Sequence, residues 1–200
     1  MDGFDRYRCE PFPGVDFFVC THGQVDICCG KLGIPAYQQA RDAYPAVRAW
    51  RTSHFGGHRY APTAWEFPSG YMWAFLDDPA VTSVLERDVH PTRLSDRVRG
   101  WTGAAAQVAP LDREGLQRWG WQWLHFPRRG EVLHHDSRER SWDVRLQYRT
   151  PEGRAAAYRG TVQVGRDVPV HGCGPRWDEL DTTVPEYTLR SLVEEHPVST

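Results

Sequence analysis

The order of the predicted elements makes this chain an α/β protein. Residues 15–20, VDFFVC, form an apolar run that predicts a buried strand, and residues 47–52 predict a second strand. Residues 35–43 lie between these strands and have the composition of a helix. A strand, a helix and a further strand in succession are typical of a sheet that is covered by helices.

The first helix is predicted to begin at Pro35, because proline is favoured in the first turn of a helix. The segment before it, THGQVDICCG at residues 21–30, contains glycines and polar residues and is predicted to be a loop. This loop carries two adjacent cysteines, Cys28 and Cys29.

A hairpin and a second helix follow. The hairpin strands are predicted near residues 62–67 and 71–76, around a Pro-Ser-Gly turn. The helix is predicted over residues 78–88, with Asp77 or Asp78 as its cap. The order of strand, helix, strand, hairpin and helix is compatible with a thioredoxin-like α/β sandwich.

The second half of the chain predicts a smaller α+β region. Residues 111–124 have apolar positions at helical spacing. Residues 142–149 and 154–164 alternate apolar and polar side chains around a Pro-Glu-Gly turn. The sequence therefore predicts one helix and one β-hairpin here, and a further short helix near residues 187–195.

This change of pattern divides the chain into residues 1–100 and residues 101–200, and the second region is either separate or packed on the first as one unit. A chain of 200 residues fits one compact domain or two small ones. The charged fraction of 25% and the hydrophobic fraction of 40% are ordinary for a folded soluble protein.

Composition and charge argue against several classes of partner. The net charge of −2 lacks the basic surplus of a nucleic-acid-binding protein. The first residues do not have the pattern of a secretory signal, and no apolar run is long enough to span a bilayer. We therefore expect a cytoplasmic protein that binds neither nucleic acid nor membrane.

Two short segments combine the residue types of a metal centre. Cys20 and Cys29 are separated by eight residues, and His54 and His58 by three, two of which are glycine. The five cysteines are odd in number, and without a secretory signal they indicate a metal or redox site rather than a disulfide framework.

The chemistry of iron–sulfur clusters explains this mixture of ligand types. A [2Fe–2S] cluster needs four protein ligands, and two imidazoles in place of two thiolates raise its reduction potential. A ligating imidazole also keeps a second nitrogen that can titrate, so that reduction could be coupled to proton uptake.

The two segments resemble the sucrase/ferredoxin-like family, a group of thioredoxin-like ferredoxins. The hallmark of this family is C-x8-C followed by H-x-G-G-H, which the chain matches at Cys20, Cys29, His54 and His58. The resemblance extends through RGWTG at residues 99–103 and into the second half of the chain. It implies a thioredoxin-like fold and a [2Fe–2S] cluster that is bound by these four side chains.

The resemblance also implies a function. The protein would be an electron carrier rather than a catalyst, and it would exchange electrons with a redox partner protein, either a reductase or an acceptor. Sucrase activity is not expected, because no pair of carboxylates stands out as a glycosidase site.

Several residues near the four predicted ligands in the sequence are candidates for contact with the cluster. His22, Gly56, Gly57 and Arg59 are expected to lie around the cluster, where the glycines would let the backbone approach it closely. Cys28 could bind the cluster in place of Cys29. Adjacent side chains on an extended backbone point in opposite directions, so only one of the two adjacent cysteines is expected to bind.

Two other functions use the same residues. A structural or interaction protein could hold zinc with two cysteines and two histidines, although eight residues between the cysteines is longer than in the usual zinc finger. A thiol–disulfide oxidoreductase would use Cys28–Cys29 or Cys20–Cys29, but the sequence contains no C-x-x-C motif. Cys173 has no partner pattern and is interpreted as a surface or structural residue.

Overall fold

A computed structural model describes residues 13–196 of the chain. The helices in this part of the chain are α1 Ile27–Ala43, α2 Asp78–Glu86 and α3 Ala109–Trp119. The strands are β1 Val15–Cys20, β2 Val47–Thr52, β3 Ala64–Phe67, β4 Tyr71–Trp73, β5 Val98–Trp101, β6 Arg128–Asp136, β7 Ser141–Arg149, β8 Ala155–His171 and β9 Leu180–Glu195.

The first five strands form one mixed sheet in the order β2-β1-β3-β4-β5. Strands β1 and β2 are parallel and are connected by α1, whereas β3, β4 and β5 continue the sheet with antiparallel pairs. A β-α-β unit followed by a β-hairpin and a helix, with the strand order 2-1-3-4, is the thioredoxin-like arrangement. The predicted α/β fold class is therefore confirmed.

The local predictions for this sheet differ in accuracy. Both strands of the parallel pair have the predicted bounds. The hairpin strands are shorter than predicted, and α2 ends two residues earlier. Asp77 caps α2 as expected, because its side chain accepts a hydrogen bond of 3.1 Å from the backbone N–H of Ala80.

The predicted start of α1 is wrong. The helix begins at Ile27 rather than at Pro35, which lies inside it on the exposed side. Cys28 and Cys29 consequently lie in the first turn of a helix and not in an extended loop. Cysteine and glycine are weak helix formers, so tertiary packing rather than local propensity must stabilise this turn.

The packing that stabilises the start of α1 is visible at Gly33. A Cβ atom on this residue would lie 2.0 Å from the carbonyl oxygen of Cys20, so the helix approaches the end of β1 more closely than any side chain would allow. Cys29 and Gly33 are one turn apart on the same buried face of α1. The end of β1 and the start of α1 are thus held in contact.

The last four strands form a second, antiparallel sheet in the order β6-β7-β8-β9. The predicted hairpin is confirmed as β7 and β8, which pair from Ser141 opposite Gln163 to Arg149 opposite Ala155. Strand β8 continues to His171, seven residues beyond its predicted end.

Two predictions for the second half are wrong. Residues 187–195 form part of strand β9 rather than a short helix, because they pair with β8 along its length. Helix α3 ends at Trp119, five residues before its predicted end, and a 3-10 turn continues from Gly120 to His125. Gly120 has a φ of 61°, which an α-helix cannot accommodate.

One apolar core contains side chains from both sheets. Phe17 and Trp73 come from the first sheet, Leu146 and Tyr158 from the second, and Trp123 lies between them without exposure to solvent. Trp123 is therefore a core residue that connects the two halves of the chain. The division at residue 100 stays a prediction.

A buried ion pair lies at this interface between the sheets. The Asp112 carboxylate of α3 accepts a hydrogen bond of 2.9 Å from Nε of Arg128 at the start of β6, and both side chains are 2% exposed. Asp112 also accepts hydrogen bonds from the Tyr71 hydroxyl of β4 and from the indole N–H of Trp123. Burial raises the pKa of Tyr71 well above its ordinary value, so its hydroxyl stays protonated and can donate.

Within residues 13–196, the helices are too short or too polar to cross a lipid bilayer.

The Asp112 network predicts that replacing this buried aspartate lowers the stability of the protein much more than replacing an exposed aspartate. We expect Asp112→Ala to reduce the free energy of unfolding by roughly 3–5 kcal/mol, because Arg128 would stay buried without its partner. Asp42→Ala is the control, since Asp42 pairs with Arg41 on the surface and its removal should change stability little. Denaturant unfolding measures both, and equal losses would contradict a special role for the buried pair.

Candidate metal centre

The candidate site lies where three segments meet at one end of the first sheet. Cys20 is the last residue of β1, Cys29 is in the first turn of α1, and His54 follows the end of β2. Because β1 and β2 are parallel, their carboxyl ends lie at the same edge of the sheet. The thioredoxin-like topology thereby brings together residues that are distant in sequence.

Three of the four predicted ligands converge. Nδ1 of His54 lies 3.9 Å from Sγ of Cys20 and 3.7 Å from Sγ of Cys29, and the three ligand atoms all lie within 4.8 Å of one another. Both cysteines are buried, each with 1% exposure. Two thiols and an imidazole in this arrangement form a group that can hold a metal ion.

Asp26 lies behind both histidines. Its carboxylate is 3.3 Å from Nε2 of His54 and 3.4 Å from Nδ1 of His58. His54 therefore directs one ring nitrogen towards the thiols and the other towards a carboxylate. Histidines that bind metals usually donate their second ring N–H to a carboxylate or a carbonyl, which fixes the tautomer and the orientation of the ring.

His58 occupies a different position from His54. Its Nε2 lies 2.7 Å from the backbone carbonyl oxygen of His171, to which it can donate a hydrogen bond. That bond leaves Nδ1, on the side of Asp26, as the nitrogen with a lone pair for a metal. The imidazole of His58 is not part of the compact group formed by Cys20, Cys29 and His54.

The thiols are in an environment that disfavours free thiolates. Burial and the neighbouring Cys20 thiol raise the pKa of Cys29 far above its ordinary value. Burial, together with a hydrogen bond to Cys173, raises the pKa of Cys28 to about 11. A bound metal would reverse this balance at the ligating thiols, because its positive charge stabilises the thiolate.

Arg99 is a cation next to the site, and one nitrogen of its guanidinium makes no hydrogen bond within the described residues. The guanidinium of Arg99 lies 5.0 Å from the ring centroid of Tyr60 and 5.7 Å from that of Phe55. Its Nη1 is shielded from solvent and has no hydrogen-bond partner among the described residues. Burial lowers the pKa of Arg99, while its interactions with Tyr60 and with the thiols of Cys20 and Cys29 raise it.

The other candidates from the sequence surround the site in different ways. His22 accepts a hydrogen bond of 3.4 Å at Nδ1 from the backbone N–H of His54. Gly56 and Gly57 have positive φ values of 86° and 71°, and Gly57 is in contact with Arg99. Arg59 lies over the ring of Tyr60, 4.7 Å from its centroid, and its shielded Nη1 has no hydrogen-bond partner in the described part of the chain.

Cys173, which the sequence indicates as a surface or structural residue, is partly exposed and lies next to the site. It lies just beyond β8, and its Sγ is 3.6 Å from Oδ1 of Asp26. The end of the second sheet therefore reaches the site. Sequence reasoning missed Arg99 as a site residue, since it belongs to no spaced motif; the available signal was that the RGWTG stretch of the family resemblance begins at Arg99.

Asp26 gives a prediction that does not depend on which metal is bound. We expect Asp26→Asn to weaken the binding of Co²⁺, used as a thiolate-sensitive probe, by roughly 10–100-fold, because the imidazole of His54 loses its charged partner. Titration of the metal-free protein followed by thiolate–cobalt absorption measures this change. Asp42→Asn, on the exposed side of α1, should bind as the unmodified protein does, and unchanged affinity in Asp26→Asn would contradict the prediction.

Comparisons with known proteins give one family match, and it covers the first half of the chain. Residues 9–100 match the sequence model of the sucrase/ferredoxin-like family, and this segment contains all four predicted ligands. No curated protein matches the chain significantly. A thioredoxin-like [2Fe–2S] ferredoxin from Aquifex aeolicus is 12% identical, with a TM-score of 0.39, and the alignment covers 46% of this chain and 96% of that one.

The structural likeness to that ferredoxin is too slight to support an inference, and the family relationship rests on the sequence match. The match ends at residue 100, so the resemblance beyond that residue stays a prediction. Over residues 9–100, the chain is similar to the sucrase/ferredoxin-like family.

Proposed function

We propose that this protein is a one-electron carrier with a [2Fe–2S] cluster bound by Cys20, Cys29, His54 and His58. The observation that carries the proposal is the approach of His54 Nδ1 to both buried thiols, at 3.9 and 3.7 Å, with Asp26 on the opposite side of the ring. The segment that holds these residues matches the model of a family whose name includes ferredoxin, which supports the same function.

The donor set fits an iron–sulfur cluster. Thiolates and imidazoles are the ligands of such clusters, whereas magnesium and calcium prefer oxygen. The two thiols are buried, which excludes water from the sulfur ligands. Asp26 lies within reach of Nε2 of His54, on the side of the ring away from the thiols, and would orient that imidazole.

The electrostatics of the site fit a centre that gains negative charge. When bound, the cluster supplies a one-electron couple. With two thiolates and two neutral imidazoles, the oxidised centre has no net charge and the reduced centre carries a single negative charge. Arg99 presents a shielded cation with an unpaired N–H on the side of the thiols, where it would stabilise the reduced form.

The proposal includes a redox partner protein, either a reductase or an acceptor, because a carrier of single electrons needs a donor and an acceptor.

Metal analysis tests the cluster directly. Protein purified without oxygen, or reconstituted with iron and sulfide, should contain about two irons and two acid-labile sulfides per chain and give an EPR signal after reduction. Cys20→Ser and Cys29→Ser should lose most of this iron, because each removes a thiolate ligand.

The adjacent cysteine is the matched control for this experiment. Cys28→Ser should retain the iron and the absorption spectrum, since its thiol points towards the carbonyl oxygen of His58 and not into the compact group. If Cys28→Ser lost the cluster while Cys29→Ser kept it, the proposed ligand set would be wrong. An iron-free chain after reconstitution would contradict the proposed function.

Arg99 gives a second prediction for the loaded protein. Arg99→Gln should shift the midpoint potential to more negative values, because the reduced centre loses its neighbouring cation. A roughly tenfold change in the equilibrium between the two oxidation states corresponds to about 59 mV for one electron. A redox titration followed by EPR measures the shift.

Two further variants separate this effect from a general change of charge. Arg99→Lys should keep most of the original potential, and Arg93→Gln, which removes an exposed arginine from the same half of the chain, should leave it unchanged. If Arg93→Gln and Arg99→Gln shifted the midpoint potential equally, the shift would depend on the net charge of the protein and not on the position of Arg99.

One observation favours a zinc site as the second candidate. In a tetrahedral zinc site, a ligating sulfur and a ligating nitrogen lie about 3.6 Å apart, which is close to both distances from His54 to the thiols. A site with two thiolates and two imidazoles around Zn²⁺ is already neutral, however, and leaves the shielded cation of Arg99 without a function. Elemental analysis separates the candidates, since zinc without acid-labile sulfide would favour the second.

A further inference from the structure

The turn between β8 and β9 lies on the edge of the metal centre. The backbone carbonyl of His171, the last residue of β8, is 2.7 Å from Nε2 of His58. A Cβ atom on Gly174 would lie 2.7 Å from Cδ1 of Ile27, the first residue of α1, so the turn is packed on the helix. Two contacts from different residues thus fix the turn on the first sheet.

Two cysteines that the proposed cluster does not use meet in this contact. Cys28 is in the first turn of α1, directly after Ile27, which Gly174 of the turn contacts. Sγ of Cys173 also lies 3.6 Å from the carboxylate of Asp26. Both cysteines are free thiols, and both are partly exposed to solvent, so a small oxidant can reach them.

We propose that Cys28 and Cys173 form a reversible disulfide, which would link the turn between β8 and β9 covalently to helix α1 at the edge of the metal centre. The two thiols come from segments 145 residues apart, and the contacts of Cys173 with Asp26 and of Gly174 with Ile27 hold these segments together in the reduced protein. Formation of the bond requires only that the sulfurs approach to about 2.0 Å. This proposal goes beyond the electron-carrier function and does not depend on it.

A small-molecule disulfide such as oxidised glutathione is the oxidant in this reaction. One cysteine attacks the oxidant as the thiolate and releases one thiol, which leaves a mixed disulfide on the protein. The second cysteine then displaces the remaining half of the oxidant. Two protein S–H bonds are lost and one S–S bond is formed, while the oxidant takes up two electrons and two protons to become two thiols.

The bond would change access to the centre. The carbonyl group of His171, directly before the turn, can accept a hydrogen bond from His58. A covalent link between the turn and α1 would therefore hold this histidine and the nearby Asp26 in place. We expect the cross-linked protein to release its metal to a chelator more slowly than the reduced protein. A thiol reductant should reverse the change.

Peptide mapping identifies the bond. The full-length, metal-loaded protein is treated with oxidised glutathione, its remaining thiols are alkylated, and it is digested with trypsin without reductant. Cleavage after arginine and lysine leaves Cys28 in the peptide of residues 9–31 and Cys173 in the peptide of residues 167–176. We expect these two peptides to be joined, and to separate after reduction.

Variants assign the bond to its cysteines. Cys28→Ser and Cys173→Ser should each abolish the joined peptide, whereas Cys9→Ser, which changes another cysteine of the same tryptic peptide, should leave it in place. A joined peptide that persists in Cys28→Ser, or its absence from the oxidised unmodified protein, would overturn the proposal. The cross-link is expected even in a preparation without iron, so its failure is distinguishable from failure of the proposed cluster.

Discussion

The close packing of helix α1 on strand β1 is the constraint on which the metal centre depends. A methyl group on Gly33 would collide with the carbonyl oxygen of Cys20, at 2.0 Å, so the helix and the end of the strand are as near as backbones can be. Cys29 precedes Gly33 by one turn on the same buried face. Because protein interiors are close-packed, this contact also fixes the separation of the two ligand sulfurs.

The second sheet completes the site from the opposite side, and its position depends on a different interaction. Asp112 and Arg128 form a buried ion pair between α3 and β6, and Asp112 also binds the hydroxyl of Tyr71 from the first sheet. This network holds the two sheets in one arrangement, which in turn sets where the long strand β8 ends. His171, at that end, supplies the hydrogen-bond acceptor for His58.

Sequence reasoning succeeded where the signal was local. The apolar run of β1 and the spacing of Cys20, Cys29, His54 and His58 can be recognised within short windows. The early start of α1 could not, because its first turn consists of weak helix formers that tertiary packing stabilises. The contact of Cys173 with Asp26 spans 147 residues, and no local pattern in the sequence encodes such a contact.

The charged groups around the centre would have opposite effects on the reduction potential of the proposed cluster. Asp26 accepts from the imidazole of His54 and increases its basicity as a ligand, which stabilises the oxidised centre. Arg99, whose guanidinium lies next to Gly57 and over the ring of Tyr60, would stabilise the additional electron. The reduction potential therefore follows from the balance of one buried carboxylate and one shielded guanidinium, and two proteins with the same four ligands can differ in potential if either of these groups is replaced.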